Sequence, residues 1–191
     1  LTVVENQSEF ANNPLAPVPV HLAQMSAVAA KCGVRIANET ELIAAVAVTE
    51  ALIGGKLAPL PVISRMQAYT GVSTWVTGDP VDGFFLFVPL SQAGVSAVRD
   101  GSFVPSQVSE TETIRDGTAC AGIYCGVYAG ATHAARKAVM TFSVLLRTNL
   151  FGGVPCFARA ATEDGARSMI SLGFRPASGG MPDLYVWEAE P

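Results

Sequence analysis

The segment "FFLFVPL", Phe84 to Leu90, contains no polar side chain. A strand with one wet face alternates apolar and polar residues, whereas a strand without alternation is covered on both faces. The run therefore predicts a central strand over Gly83–Leu90, in a sheet with a layer on each side. Ahead of it, Ser73–Thr77 is rich in β-formers and "GDPVDG" carries turn residues, so the two runs are expected to pair as a hairpin.

The covering layers read as helices. "HLAQMSAVAAKCG" places Leu22, Met25, Val28 and Ala29 at helical spacing, with Gly33 as its stop. "NETELIAAVAVTEALIGG" opens on Asn38 as a cap, carries Glu39 and Glu41 in its first turn and ends at Gly54–Gly55. A short helix is expected at Val62–Tyr69. The polar, proline-interrupted "GSFVPSQVSETETIRDGT" predicts a long surface loop. Beyond it come strand Ala119–Tyr128, helix Thr132–Leu150, strand Cys156–Ala161, helix Glu163–Leu172 and strands Phe174–Ala177 and Leu184–Glu188. The expectation is an α+β fold, a mixed, mostly antiparallel sheet with helices on both faces. Residues 1–20, with three prolines in "NNPLAPVPV", are expected to form an extended arm, and residues 21–191 a single domain.

Composition narrows the function classes. Half of the 191 residues are hydrophobic and only 15% are charged, enough for a large core. A net charge of −4 offers no basic field for nucleic acid. No run of 18 apolar residues suggests a membrane span, and no basic-then-apolar N-terminal pattern suggests a secretory leader. The four cysteines lack CxxC spacing; Cys120 and Cys125, on one predicted strand, should point to opposite faces. All four read as small buried hydrophobes in a reducing cytoplasm. His21 and His133 are far apart, and no cluster has metal-ligand spacing, so no metal is expected.

One helix start is unusual. "ATEDGARSMISLGF" puts Glu163 and Asp164 behind Thr162, as the helix dipole favours. "YAGATHAARKAVM" instead puts Arg136 and Lys137 near the start of its helix. The first N–H groups there, His133 to Arg136, lack helical acceptors, and Thr132 can cap one of them. The inverted charge suggests an anion from outside the chain, bound at this turn.

The order of elements from Ala119 to Glu188, with the Gly173–Phe174 pair opening a strand, resembles the C-terminal half of the GCN5-related N-acetyltransferase (GNAT) superfamily. The hairpin at Ser73–Leu90 fits that family's central strands. The family's cofactor loop has the pattern [QR]-x-x-G-x-[GA]; here "GATHAA" matches at Ala135, with Gly130 and His133 departing. The resemblance implies acetyl-CoA as cosubstrate, its diphosphate against Gly130, Ala131, Thr132, His133, Ala134, Ala135 and Arg136. It further implies an N-acetyltransferase working by direct attack of an amine, with residues 119–191 as the cofactor half. Residues 21–118 would then serve a small-molecule acceptor, held by the helices before residue 70 and the Gln92–Arg115 loop. The cysteine reading and the absence of a leader pattern suggest a cytoplasmic protein, and a homodimer is a further expectation.

The family often has a tyrosine proton donor where this chain has Met169, and an asparagine where it has Thr162. Methionine has no proton to give. The catalytic residue is thus unassigned. Tyr124 and Tyr128, four apart on one strand and expected on one face, are candidates, as are Glu112 and Asp116 in the preceding loop. Neither Ser143 nor Cys125 sits in a nucleophile motif. The alternative is a non-catalytic sensor or assembly protein that binds CoA or another small ligand on the same scaffold. An unrelated α/β domain would show the Ala119 and Cys156 strands apart in the sheet.

Overall fold

The computed structural model describes residues 18–188, so the expected arm lies outside the described residues up to position 17. Eight consecutive buried residues, Gly83–Leu90, form β4 in the middle of a seven-stranded sheet. Its order is β2 (Val34–Ile36), β3 (Thr74–Thr77), β4, β6 (Gly122–Gly130), β7 (Cys156–Arg159), β9 (Leu184–Trp187) and β8 (Arg175–Pro176). Every neighbouring pair is antiparallel except β6–β7. A separate two-stranded pairing joins β1 (Val18–Pro19) to β5 (Ala119–Cys120).

Alternation along β4 sorts the core into two layers. Phe85 and Phe87 meet Trp75 and Phe142, with ring centroids 4.9 Å apart for Trp75–Phe142 and 5.8 Å for Phe85–Phe142. That layer holds α1 (Leu22–Lys31), α5 (His133–Leu145) and α6 (Glu163–Ser171), which bury Met25, Val139 and Met169 there. On the opposite face, Phe84 and Leu86 meet Leu42 and Ala45 of α2 (Glu39–Ile53) and Ile63 of α3 (Leu60–Thr70). Further along, Val88 and Leu90 meet Val95 and Val98 of α4 (Gln92–Asp100).

Several expectations are corrected. The stretch Gln92–Arg115 is not all loop: Ser91 accepts a hydrogen bond from Gly94 N–H at 3.1 Å and starts α4. The edge strand β2, with Val34 buried, was not anticipated. The helix expected to reach Leu150 is α-helical only to Leu145 and then widens into a π-helical turn over Leu146–Leu150. Cys120 and Cys125 lie in the same core layer, because Ala121 interrupts the strand between them and resets its alternation.

The feature that shapes the site lies between β4 and β6. Leu86 pairs with Val127 but Phe87 pairs with Cys125, so Gly126 is the extra residue of a β-bulge. The bulge reverses the facing of the residues on its far side. Tyr124 therefore packs beside Phe103 on the α4 side, with centroids 5.0 Å apart, while Tyr128 stacks on Phe85 at 5.2 Å on the α5 side. The expectation that both tyrosines share a face is corrected by that one residue. The β6–β7 ladder stops at Cys125–Ala158, although β6 continues to Gly130. The strands thus part at the bulge, and α5 crosses between them.

Candidate functional site

Where β6 and β7 part, a cavity of about 750 Å³ opens through the sheet. On one side it is lined by Gly130 at the end of β6, by His133, Arg136 and Met140 of α5, and by Met169 and Leu172 from α6 and the residue after it. On the other it reaches Thr49 and Ile53 of α2, Leu57, Tyr124 and Arg159. Gly126, exposed at the bulge, lies in its wall.

The α5 start is built tightly. A Cβ at Gly130 would fall 2.5 Å from the Arg136 backbone nitrogen, so only glycine lets the helix fold back over the strand end. Thr132 caps the helix by accepting from Ala135 N–H at 3.0 Å. Its hydroxyl donates to Asp82 Oδ2 at 2.8 Å, and Ala131 N–H donates to the Asp82 carbonyl at 2.7 Å. The chain therefore supplies one anion of its own at this helix start, from the β3–β4 turn, and the inverted charge is not left wholly to an outside ligand. The His133 and Ala134 N–H groups still have no acceptor among the described residues. His133, Arg136 and Lys137 are exposed, and Arg136 Nη1 donates to the Gly130 carbonyl at 3.2 Å. Neither Arg136 nor Lys137 is in an ion pair among the described residues. Of the seven residues Gly130–Arg136, it is Gly130, His133 and Arg136 that line the cavity, joined by Lys137.

The expected catalytic side chains separate. Burial pushes the Tyr124 phenol up to about 12, against the pull of Arg159. Burial, reinforced by the Cys125 and Cys156 thiols, also holds Tyr128 well above its ordinary value. Both phenols keep their protons at neutral pH, and both line the cavity from opposite faces of β6. Glu112 and Asp116 do not line it. Glu112 accepts from Ser109 N–H at 2.8 Å within its own loop, and Asp116 accepts from Leu22 N–H at 2.8 Å at the start of α1. Met169 is 7% exposed and belongs to the core cluster while touching the cavity. Cys125 and Cys156 are buried with sulfurs 3.5 Å apart, and that hydrogen bond, with burial added, holds the Cys156 thiol well above its ordinary value.

Thr49, Lys56 and Arg159 line the site without having been anticipated from sequence. No local pattern marks them, since their placement depends on where α2 and β7 end. The bulge did have a signal: an isolated glycine inside "IYCGVY", the mark of a bulged strand.

No family model matches the chain, and neither does any curated protein. Two solved structures resemble it in shape. Ard1 from Thermoplasma volcanium superposes with a TM-score of 0.50 at 11% identity, over 80% of this chain and 93% of that one. A structure described as histone acetyltransferase HPA2 and related acetyltransferase, from Corynebacterium glutamicum, gives 0.46 at 15% identity, over 83% and 96%. The strands expected to be adjacent, from Ala119 and from Cys156, are neighbours and parallel, with a helix crossing between them. Together with the Ard1 superposition, this topology gives the chain the fold of the GCN5-related N-acetyltransferases.

Proposed function

We propose that this protein is an acetyl-CoA-dependent N-acetyltransferase acting on a small amine. The observation that carries the reading is the cavity through the parted strands, with unclaimed N–H groups and three basic side chains on one side of it. Bound acetyl-CoA supplies the acetyl group: the amine nitrogen bonds to its carbonyl carbon, the carbon–sulfur bond breaks, the amine loses a proton and the thiolate gains one.

The chain's own groups suit the two ends of that task. His133 and Ala134 N–H, with Arg136 and Lys137, form a donor set for a diphosphate at a helix N-terminus. On its β7 side β6 has no partner beyond Cys125, so backbone groups on that edge around Gly126 would be available to hold a carbonyl in place. Tyr124 and Tyr128, both protonated and both lining the cavity, would give a proton to the leaving thiolate. No carboxylate lines the cavity among the described residues, so the amine would lose its proton to water.

A second reading, a non-catalytic CoA-binding protein, is favoured by Met169 standing where the family often has a tyrosine proton donor. Both readings require CoA to bind at Gly130–Arg136. Arg136→Glu should weaken CoA binding about tenfold, roughly 1.4 kcal/mol, with little change in apo melting temperature. Calorimetry on the two proteins decides the site: equal affinities sink it. Thiol release from acetyl-CoA in the presence of an amine panel then separates enzyme from sensor.

A further inference from the structure

The half of the cavity away from the α5 start has its own chemistry. Its wall is mostly apolar, from Ile53, Leu57 and Pro105. It carries two cations, Lys56 and Arg159, and no carboxylate among the described residues. Lys56 is already paired, its Nζ donating to Glu50 at 2.7 Å. Arg159 is not: its Nε donates to the Pro182 carbonyl at 2.8 Å, which fixes the guanidinium, and no carboxylate reaches it among the described residues. Thr49 lines the same cavity, and its buried hydroxyl has no hydrogen-bond partner among the described residues. A buried hydroxyl left unpaired is costly, and the cavity is where its partner can come from.

A wall for a polyamine or a lysine side chain would need carboxylates. This wall offers the reverse, a held guanidinium with both Nη groups available for a two-point contact with a planar anion. We infer that the acceptor amine carries a carboxylate on an apolar body, an apolar amino acid or a close analogue, with Arg159 holding the carboxylate and Thr49 contributing a hydrogen bond. This rests on the acetyl-transfer reading of the cavity and names its second substrate. Tyr124, protonated beside Arg159, adds no negative charge to compete for the guanidinium.

The test pairs leucine, methionine and phenylalanine with their carboxamides, and adds spermidine, in acetyl transfer at saturating acetyl-CoA. The expected result is a kcat/KM for the acids about tenfold to a hundredfold above the amides, the range of one charged hydrogen-bonded contact, and little transfer to spermidine. Arg159→Gln should erase the acid-over-amide ratio by raising the acceptor KM, with CoA affinity by calorimetry unchanged. Thr49→Val should lower acceptor kcat/KM while raising the melting temperature by about 2–4 °C, as expected if an unpaired hydroxyl is removed. Amides or spermidine serving as well as the acids would overturn the inference. So would an unchanged ratio in Arg159→Gln, or a loss of CoA affinity that assigns Arg159 to the cofactor. If CoA binds but no acid is acetylated, titration of the same acids into the CoA complex decides: no carboxylate-dependent binding overturns the inference. Failure to bind CoA at all overturns the functional reading beneath it.

Discussion

Tyr124 shows how much one residue's surroundings decide. In water its phenol would titrate near 10; burial raises it to about 12. A group whose folded value is raised stabilises the fold fully below its unfolded value and loses that contribution as pH climbs through the window between the two. Stability should therefore fall from about pH 10 upward, and Tyr124→Phe should flatten part of that fall; denaturant midpoints at pH 9, 10 and 11 would show it. The same shift means that transfer should rise with pH as the acceptor amine deprotonates, without an alkaline decline from Tyr124 before the protein itself fails. Which way the two tyrosines point was not legible from their spacing. Four residues apart means one face only on an unbroken strand, and the extra residue at Gly126 breaks the count.

Elements were legible where their local chemistry was strong. β4 announced itself by eight residues with nothing polar, and α2 by Asn38, whose side chain accepts from Glu41 N–H at 2.9 Å in a full capping box. α4 was hidden because Gly94 sits near its start and reads as a breaker. Its glycine is there for space: a Cβ would lie 2.0 Å from the Glu112 carbonyl oxygen of the loop that passes over it. Three-residue β2 has too little pattern to be read at all. The same logic of space governs the α5 start and can be tested there. Gly130→Ala would drive a Cβ against backbone, which cannot yield as a side chain can, and should cost about 1–3 kcal/mol. CoA affinity should fall with it, by about tenfold or more, because the strand end and the helix start must separate. Thermal melts with calorimetry check both; an unaltered affinity would detach the loop from the ligand.

At the scale of the whole molecule, the sheet is two plates. Strands β2, β3, β4 and β6 form one, and β7, β9 and β8 the other. The sequence foretold the β3–β4 hairpin and the parallel β6–β7 pair, but neither the edge strand β2 nor the point of parting, since a pairing's end depends on a bulge contributed jointly by β4 and β6. CoA seated between the plates should stabilise both together: at a hundredfold excess over its Kd, about 2.7 kcal/mol, or roughly 5–10 °C in melting temperature for a chain of this size. Differential scanning calorimetry with and without CoA measures it, and no shift at that excess would show that the native protein does not bind CoA. The backbone seam between the plates is a ladder of three residue pairs, from Ile123–Cys156 to Cys125–Ala158. Such a joint behaves as a hinge with a short pin. A ligand lying across it acts as a bolt, and each departure of product requires the bolt to be drawn. On the proposed reading, the tighter the protein closed on CoA, the slower it would let the spent cofactor go.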